Sequence, residues 1–441
     1  MAVIGIRRED KSVWERRTPL VPRDVKQLVA GGVEVHVQRS SNRCFADEEY
    51  AHAGARLTDD LSGADVILGV KEIPPRTFER GKTYFFFSHT IKGQPYNMAM
   101  LRRLLELECT LLDYELVTGN DGIRTIAFGR HAGLAGAIDT LWALGRRWEM
   151  RGVTTPLARL RPALEYGSVE KARADVERAG REIAENGLPA EVSPAAIAVT
   201  GAGGKVFGGA MEVLDLLPAR HVRPEDLAAE TAAASGPARE IWAVGYGPEH
   251  LVEPAREDGT YTWERYLEYP EEFRARFGKD LPLLSAVIHG IFWAEGYPRF
   301  ILRDDLAAMW SAPARPKLEV ITDVTCDIGG SNEALAQIAD PGEPAYTYDP
   351  ATDEAVEGWD AHGPLVVAVD ILPAEVPVDS SEHFSRCLTP VIPALARGVP
   401  DPADESLPGE LRRAVLVHGG RLVSPWDEKL AEPLREHGGK A

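Results

Sequence analysis

Two pairs of polar residues close two short apolar runs in the first quarter of the chain. Asp65–Val70 leads into Lys71-Glu72, and Thr83–Phe87 leads into Ser88-His89. Runs of this length, bounded by Pro74-Pro75 and Gly81, suit strands covered on both faces. In a parallel sheet the carboxyl ends of neighbouring strands open onto the crevice where ligands bind, so the spacing predicts that Lys71 and His89 face each other there. A histidine exchanges protons near neutral pH. A lysine joins it only if burial or a cationic neighbour lowers its pKa. Taken alone, the pair reads more simply as a solvated strand end and a satisfied turn histidine.

A second feature lies in the middle of the chain. Ile197–Thr200 enters the glycine cluster GAGGKVFGGA, Gly201–Ala210, and an amphipathic helix follows through Val213, Leu214 and Leu217. Strand, glycine turn and helix are the context of a dinucleotide site, where backbone approaches the pyrophosphate at a helix N-terminus. The cluster departs from a clean GxGxxG, and an ordinary tight turn explains it equally well. About twenty residues on, where an acid would take a ribose hydroxyl, stand Arg220 and Arg223, which favours NADP(H) over NAD(H). A third feature is ITDVTCDIGGSNE, in which a strand ends at Asp323 and Asp327 before Gly329-Gly330.

The elements that must position these residues alternate between strand and helix, which implies an α/β chain with parallel, helix-covered sheets. Expected strands are Val3–Ile6, Val33–Val37, Thr110–Asp113, Glu240–Gly245, Leu283–Ile288, Lys317–Val324 and Gly363–Asp370. Expected helices start at Pro22 and cover Asn97–Glu108, Ser168–Asn186 and Glu382–Ala396. His131–Met150 reads as a long apolar connector between domains. A length of 441 residues suits two or three domains. The net charge of −19 argues against nucleic acid or anionic membrane as partner. No apolar run is long enough to span a bilayer, and the start has no signal-peptide pattern. Cys44, Cys109, Cys326 and Cys387 lack metal or CxxC spacing, so no metal site is expected and a cytoplasmic location with reduced thiols is.

Several ordered segments then meet a known pattern: IRREDKSVWERRTPLVP at 6–22, VILGVKEIPP at 66–75, TYFFFSHTIK at 83–92, LLDYELV at 111–117, GIRTIAFGRHAGLAGAID at 122–139, DVTCDIGGS at 323–331 and VAVDILPAEVP at 367–377. Through them the chain resembles the lysine–2-oxoglutarate reductase (saccharopine dehydrogenase, lysine-forming) module, within the alanine dehydrogenase and transhydrogenase fold group. The resemblance implies two Rossmann-like domains with an inter-domain cleft: a substrate domain of 1–130 plus 345–441, and a dinucleotide-binding domain of 131–344. It implies Lys71 and His89 as the proton-transfer pair, with Glu72 beside Lys71 tuning it, and Asp327 as the acid at the cleft. Arg17, with Arg16 as the alternative, would hold a substrate carboxylate in a bidentate fork. Lys92 would be a second carboxylate or amine-field residue, and Glu115 would face the amine substrate. Arg124 and Phe128 would wall the dinucleotide or the substrate, and Gly201, Gly203, Gly204, Val206 and Gly209 would line the dinucleotide's phosphates, with Arg220 and Arg223 near the ribose. His289 stands where the pattern has Asn near the nicotinamide.

The implied reaction is reductive condensation of L-lysine with 2-oxoglutarate, or its reverse, with NADP(H). A second oxidising module is not seen in the sequence, so a separate enzyme taking saccharopine onward is expected; a homodimer is the expectation from the fold group. The rivals are an alanine dehydrogenase-like enzyme using ammonia, an opine-type pairing with another amine, and a cofactor-binding regulatory protein without catalysis.

Overall fold

A computed structural model describes residues 1–439 of the chain. It divides into two units, Met1–Ala127 with Pro377–Ala441, and Phe128–Val376. Residues 345–376, expected with the first domain, lie instead in the second, because three of its strands come from this stretch.

In the first unit the strands are β1 (Ile4–Ile6), β2 (Val35–Gln38), β3 (Arg56–Thr58), β4 (Val66–Leu68), β5 (Thr83–Phe86) and β6 (Thr110–Asp113). They run parallel in the order β6-β5-β4-β1-β2-β3, and Val415–His418 adds antiparallel to β6 with Arg421–Leu422 outside it. Every residue of β1, β4, β5 and β6 is buried, as the unbroken apolar runs require. The covering helices are α1 (Pro22–Ala30), α2 (Asp47–His52) and α3 (Pro95–Glu106). Pro22 and Pro95 open α1 and α3, where a missing N–H costs nothing. The C-terminal segment 382–396, expected as one helix, is two: Pro377–Leu388 and Ile392–Leu395. Pro390 and Pro393 lack the amide hydrogens that a continuous helix would use. Ser381 and Ser385 of the first helix accept the Thr18 and Val21 amides, each at 3.0 Å.

The second unit opens with α4 (Gly129–Met150). It is no connector: from Leu134 to Leu144 nearly every side chain is buried in this unit's core. The one-turn α5 (Ala163–Tyr166) and α6 (Val169–Asn186) follow, then β7 (Ala195–Thr200), α7 (Lys205–Leu214), β8 (Ala219–Val222) and β9 (Ile241–Tyr246). A small antiparallel pair, β10 (Val252–Pro254) and β11 (Phe273–Ala275), stands apart from the main sheet. The sheet is completed by β12 (Ala286–His289), β13 (Val320–Asp323), β14 (Ala345–Asp349), β15 (Glu354–Val356) and β16 (Leu365–Val367), in the order β15-β14-β16-β13-β12-β7-β9-β8. Its strands are parallel except for β14, which runs antiparallel to both neighbours.

Glycines decide how α4 meets α7. A Cβ on Gly133 would lie 2.0 Å from the Val206 carbonyl oxygen, and one on Gly209 would lie 2.0 Å from that of Arg130. Gly209, expected at the coenzyme phosphates, is therefore a crossing point where two helix backbones touch.

Candidate active site

The first unit builds a cluster of charges at the carboxyl ends of β1, β4 and β5. β4 and β5 pair parallel with Val66 opposite Thr83 and Leu68 opposite Phe85, and the ladder continues through the Phe87 amide to the Val70 carbonyl at 3.1 Å. An offset of seventeen residues puts Lys71 opposite Ser88 and Glu72 opposite His89. The pair expected to face each other, Lys71 and His89, is thus displaced by one position. It is Glu72 that meets the imidazole, its Oε1 lying 2.7 Å from His89 Nδ1, while its Oε2 accepts from Lys11 Nζ at 2.7 Å. Burial would push the Glu72 carboxyl up, but hydrogen bonds from His89 and Lys11 outweigh it and hold the group well below the usual carboxylate range.

Lys71 stands half-buried beside this pair. Its main-chain N–H and that of Val70 are accepted by the buried Glu9 carboxylate at 3.0 and 2.9 Å. Among the described residues its ammonium makes no hydrogen bond or ion pair. Burial and the charge of Arg17 lower its pKa, with Glu15 and Glu72 opposing. This is the condition under which a lysine exchanges protons near neutrality.

Arg17 is 5 % exposed, and its Nε and Nη2 are taken by the two oxygens of Glu15 at 2.8 and 2.6 Å. The expected substrate fork is, on that edge, already an internal ion pair. Glu115 and Arg124 pair at 3.4 Å. Arg124 lies 5.5 Å over the Phe87 ring, and Phe87 stacks on His89 with centroids 6.1 Å apart. The structure therefore brings Lys71, Glu72, His89, Glu115 and Arg124 into one unit. Lys92 stands exposed in the turn after them, with no hydrogen bond into the cluster among the described residues. Phe128 belongs to the second unit, where it precedes α4 and meets His131 edge-on.

Sequence reasoning missed Glu9, Lys11 and Glu15. The available signal was position: a run of charges directly after the buried β1, whose Ile6 registers with Leu68 of β4, must spill onto the same sheet edge.

In the second unit β7 ends at Thr200 and the chain turns through Gly201 and Gly203, at φ +82° and +84°, into Gly204, which caps α7. Left-handed backbone at these two positions is what demands glycine. A Cβ on Gly203 or Gly208 would enter open space, so the turn presents bare backbone and the N-terminus of α7 to solvent. These features fit a dinucleotide pyrophosphate held by Gly201, Gly203, Gly204 and the first amides of α7. Val206 is occupied differently, since its side chain fills the space beside Gly290.

Two further expectations change, those for Arg220 and His289. Arg220 of β8 pairs with Trp242 of β9, which aligns with Ala196 of β7, five residues or about 16 Å before Gly201. There it binds Glu230 at 2.6 Å and covers the Trp242 ring. Arg223 follows the end of β8, exposed, and pairs with Asp226 at 2.8 Å. His289 is fully buried, with Nδ1 3.2 Å from Thr200 Oγ1 and Nε2 2.7 Å from Ser331 Oγ. Both ring nitrogens are engaged inside the fold, so it braces the strand ends in place of facing a nicotinamide. Burial lowers its pKa against the charges of Asp323 and Asp327. Asp323 accepts from the Thr325 amide and hydroxyl, the Cys326 amide and Asn332 Nδ2, and so builds the turn that carries Asp327 on an exposed tip.

The fold is that of alanine dehydrogenase and transhydrogenase. An L-alanine dehydrogenase superposes with a TM-score of 0.61 at 17% identity, covering 98% of this chain and 99% of that one. A transhydrogenase from Sinorhizobium meliloti gives 0.57 at 17%, covering 96% and 100%. Residues 5–135 match the family model described as alanine dehydrogenase/PNT, N-terminal domain. Within this fold group the chain is similar in sequence to alpha-aminoadipic semialdehyde synthases and to saccharopine dehydrogenases. It is 35% identical to the mitochondrial synthase of Bos taurus over 99% of its own length and 48% of that protein. It is 28% identical to the saccharopine dehydrogenase (NAD(+), L-lysine-forming) of Neurospora crassa over 88% of this chain and 90% of that one. The chain spans about half the length of the synthases it matches.

Proposed function

We propose that the protein is a pyridine-nucleotide oxidoreductase that makes or cleaves saccharopine, joining the side-chain amine of L-lysine to the ketone of 2-oxoglutarate. The observation that carries the chemistry is the Glu72–His89 bond beside a half-buried Lys71 of lowered pKa. The names of the two groups of homologues support the substrate class.

Condensation requires the amine to lose a proton and the ketone oxygen to gain protons as it leaves as water. Glu72 takes the Nδ1–H of His89 and thereby leaves Nε2 as the nitrogen that exchanges protons. Lys71, short of internal partners and partly desolvated, is the second exchanger. Arg124 and Glu115 offer one charge of each sign on the same side, suited to a substrate bearing carboxylates and an amine. The glycine turn after β7 would hold the dinucleotide, which supplies the hydride that reduces the imine carbon. NADP(H) is the proposed coenzyme, with Arg223 as its support, although the fungal homologues are named for NAD(+).

The test is nucleotide oxidation followed by absorbance, with NADPH and then NADH, in the presence of lysine, 2-oxoglutarate, or both. Consumption that needs both substrates is expected, and faster with NADPH. Consumption with ammonium and pyruvate instead would assign alanine dehydrogenase chemistry. Coenzyme binding without turnover on any pair would mark a regulatory protein.

A further inference from the structure

We propose that Asp113 is a positioning residue for His89, clamping from the neighbouring strand the turn that presents the imidazole to Glu72. The inference rests on the reading of His89 as a proton-exchanging group. β6 pairs parallel with β5, Phe86 opposite Asp113, so the carboxyl end of β6 delivers this buried carboxylate beneath the Ser88-His89-Thr90 turn. Its Oδ2 accepts the Ser88 amide at 3.1 Å and the Ser88 hydroxyl as well. Its Oδ1 accepts the Glu115 amide at 2.7 Å. Ser88 Oγ lies in turn 2.7 Å from Thr90 Oγ1, so one carboxylate fixes the residues on both sides of His89.

The turn needs such a clamp. His89 has φ +48°, a left-handed backbone that a side-chain-bearing residue adopts only when its surroundings impose it. From the other side its carbonyl accepts Asn97 Nδ2 at 3.2 Å. Burial pushes the Asp113 carboxyl up to about 6, against the pull of the Ser88 and Glu115 hydrogen bonds. Asparagine would present a single acceptor oxygen where the carboxylate has two, and it could not hold Ser88 and Glu115 together. The same clamp links two candidate residues, since it fixes the backbone of Glu115 along with that of Ser88.

Asp113→Asn, made in the full chain, separates positioning from plain turn-building. The first readout is the low-field proton resonance of the His89 Nδ1–H···Glu72 hydrogen bond, assigned by its absence in His89→Gln. The second is kcat against KM for lysine and for coenzyme. We expect the resonance to vanish, kcat to fall by between about ten- and a hundredfold, and the coenzyme KM to stay within about twofold. Ser88→Ala, which removes the clamped hydroxyl and leaves the buried acid, should move both readouts the same way and decides the matter if Asp113→Asn does not fold. A retained resonance with kcat within about twofold of wild type overturns the proposal. If wild type turns nothing over, yet Asp113→Asn loses the resonance, the positioning role stands and the proposed reaction falls.

Discussion

Glu72 and His89 occupy equivalent positions two residues beyond the Phe87–Val70 hydrogen bond that ends the β4–β5 ladder, seventeen residues apart in the chain, and their side chains close on each other at 2.7 Å. The contact follows from register. Once Val66 pairs with Thr83, the residues that leave the two strands meet in fixed partnership, and a slip of one residue would have given Lys71 to the imidazole instead.

Glu72→Gln should uncouple this pair. The neutral amide removes the charge that His89 and Lys11 share, and kcat should fall by between about ten- and a hundredfold in the lysine plus 2-oxoglutarate assay. Because the folded state holds this carboxyl below its ordinary value of 4.5, its stabilising contribution is present above that pH and is lost as pH falls through the folded-state value. Chemical denaturation should show the variant weakest relative to wild type at neutral pH, with the gap closing in acid.

Arg223→Ala and Arg220→Ala should differ. With Arg223 at the end of β8, its loss should raise KM for NADPH by about tenfold and leave that for NADH unchanged. Arg220, about 16 Å down the strands from the glycine turn and bound to Glu230, should change neither KM. Equal effects of the two variants would remove Arg223 from coenzyme selection.

His289→Asn should flatten the acid side of the stability profile. Burial keeps the folded-state pKa of His289 below 6.5, so the unfolded chain takes up a proton that the folded chain refuses, and stability falls as pH drops below 6.5. Above that pH the group is neutral in both states and adds no slope. Thermal melts between pH 7.5 and about 5 should show a shallower decline in Tm for the variant than for wild type.

Gly209→Ala and Gly208→Ala, one residue apart on α7, should move stability in opposite directions. The first drives a methyl to 2.0 Å from the Arg130 carbonyl and should cost about 1–3 kcal/mol. The second meets nothing within 4 Å and should gain about 0.5–1 kcal/mol from helix propensity. Denaturation midpoints of the coenzyme-free protein are the measurement.

The sequence by itself determined the kind of sheet and where its edges lie. Unbroken apolar runs such as Thr83–Phe86 force burial on both faces, and the polar residues that close them fall at the carboxyl ends whatever the rest of the chain does. Gly201 and Gly203 were legible for a similar local reason: a strand that turns at once into a helix needs left-handed backbone. Tertiary structure alone decided the partners. Only the strand register set Glu72 against His89, and only the fold of the loop after β1 spent the Arg17 fork on Glu15 and brought Lys11 to Glu72. Only the depth of each group along its strand separated Arg220 from Arg223 and buried His289 between Thr200 and Ser331. Spacing along the chain reports which way a residue points; what it meets depends on segments far away in sequence, eighty-nine residues away for Thr200 and His289 and 363 for Thr18 and Ser381.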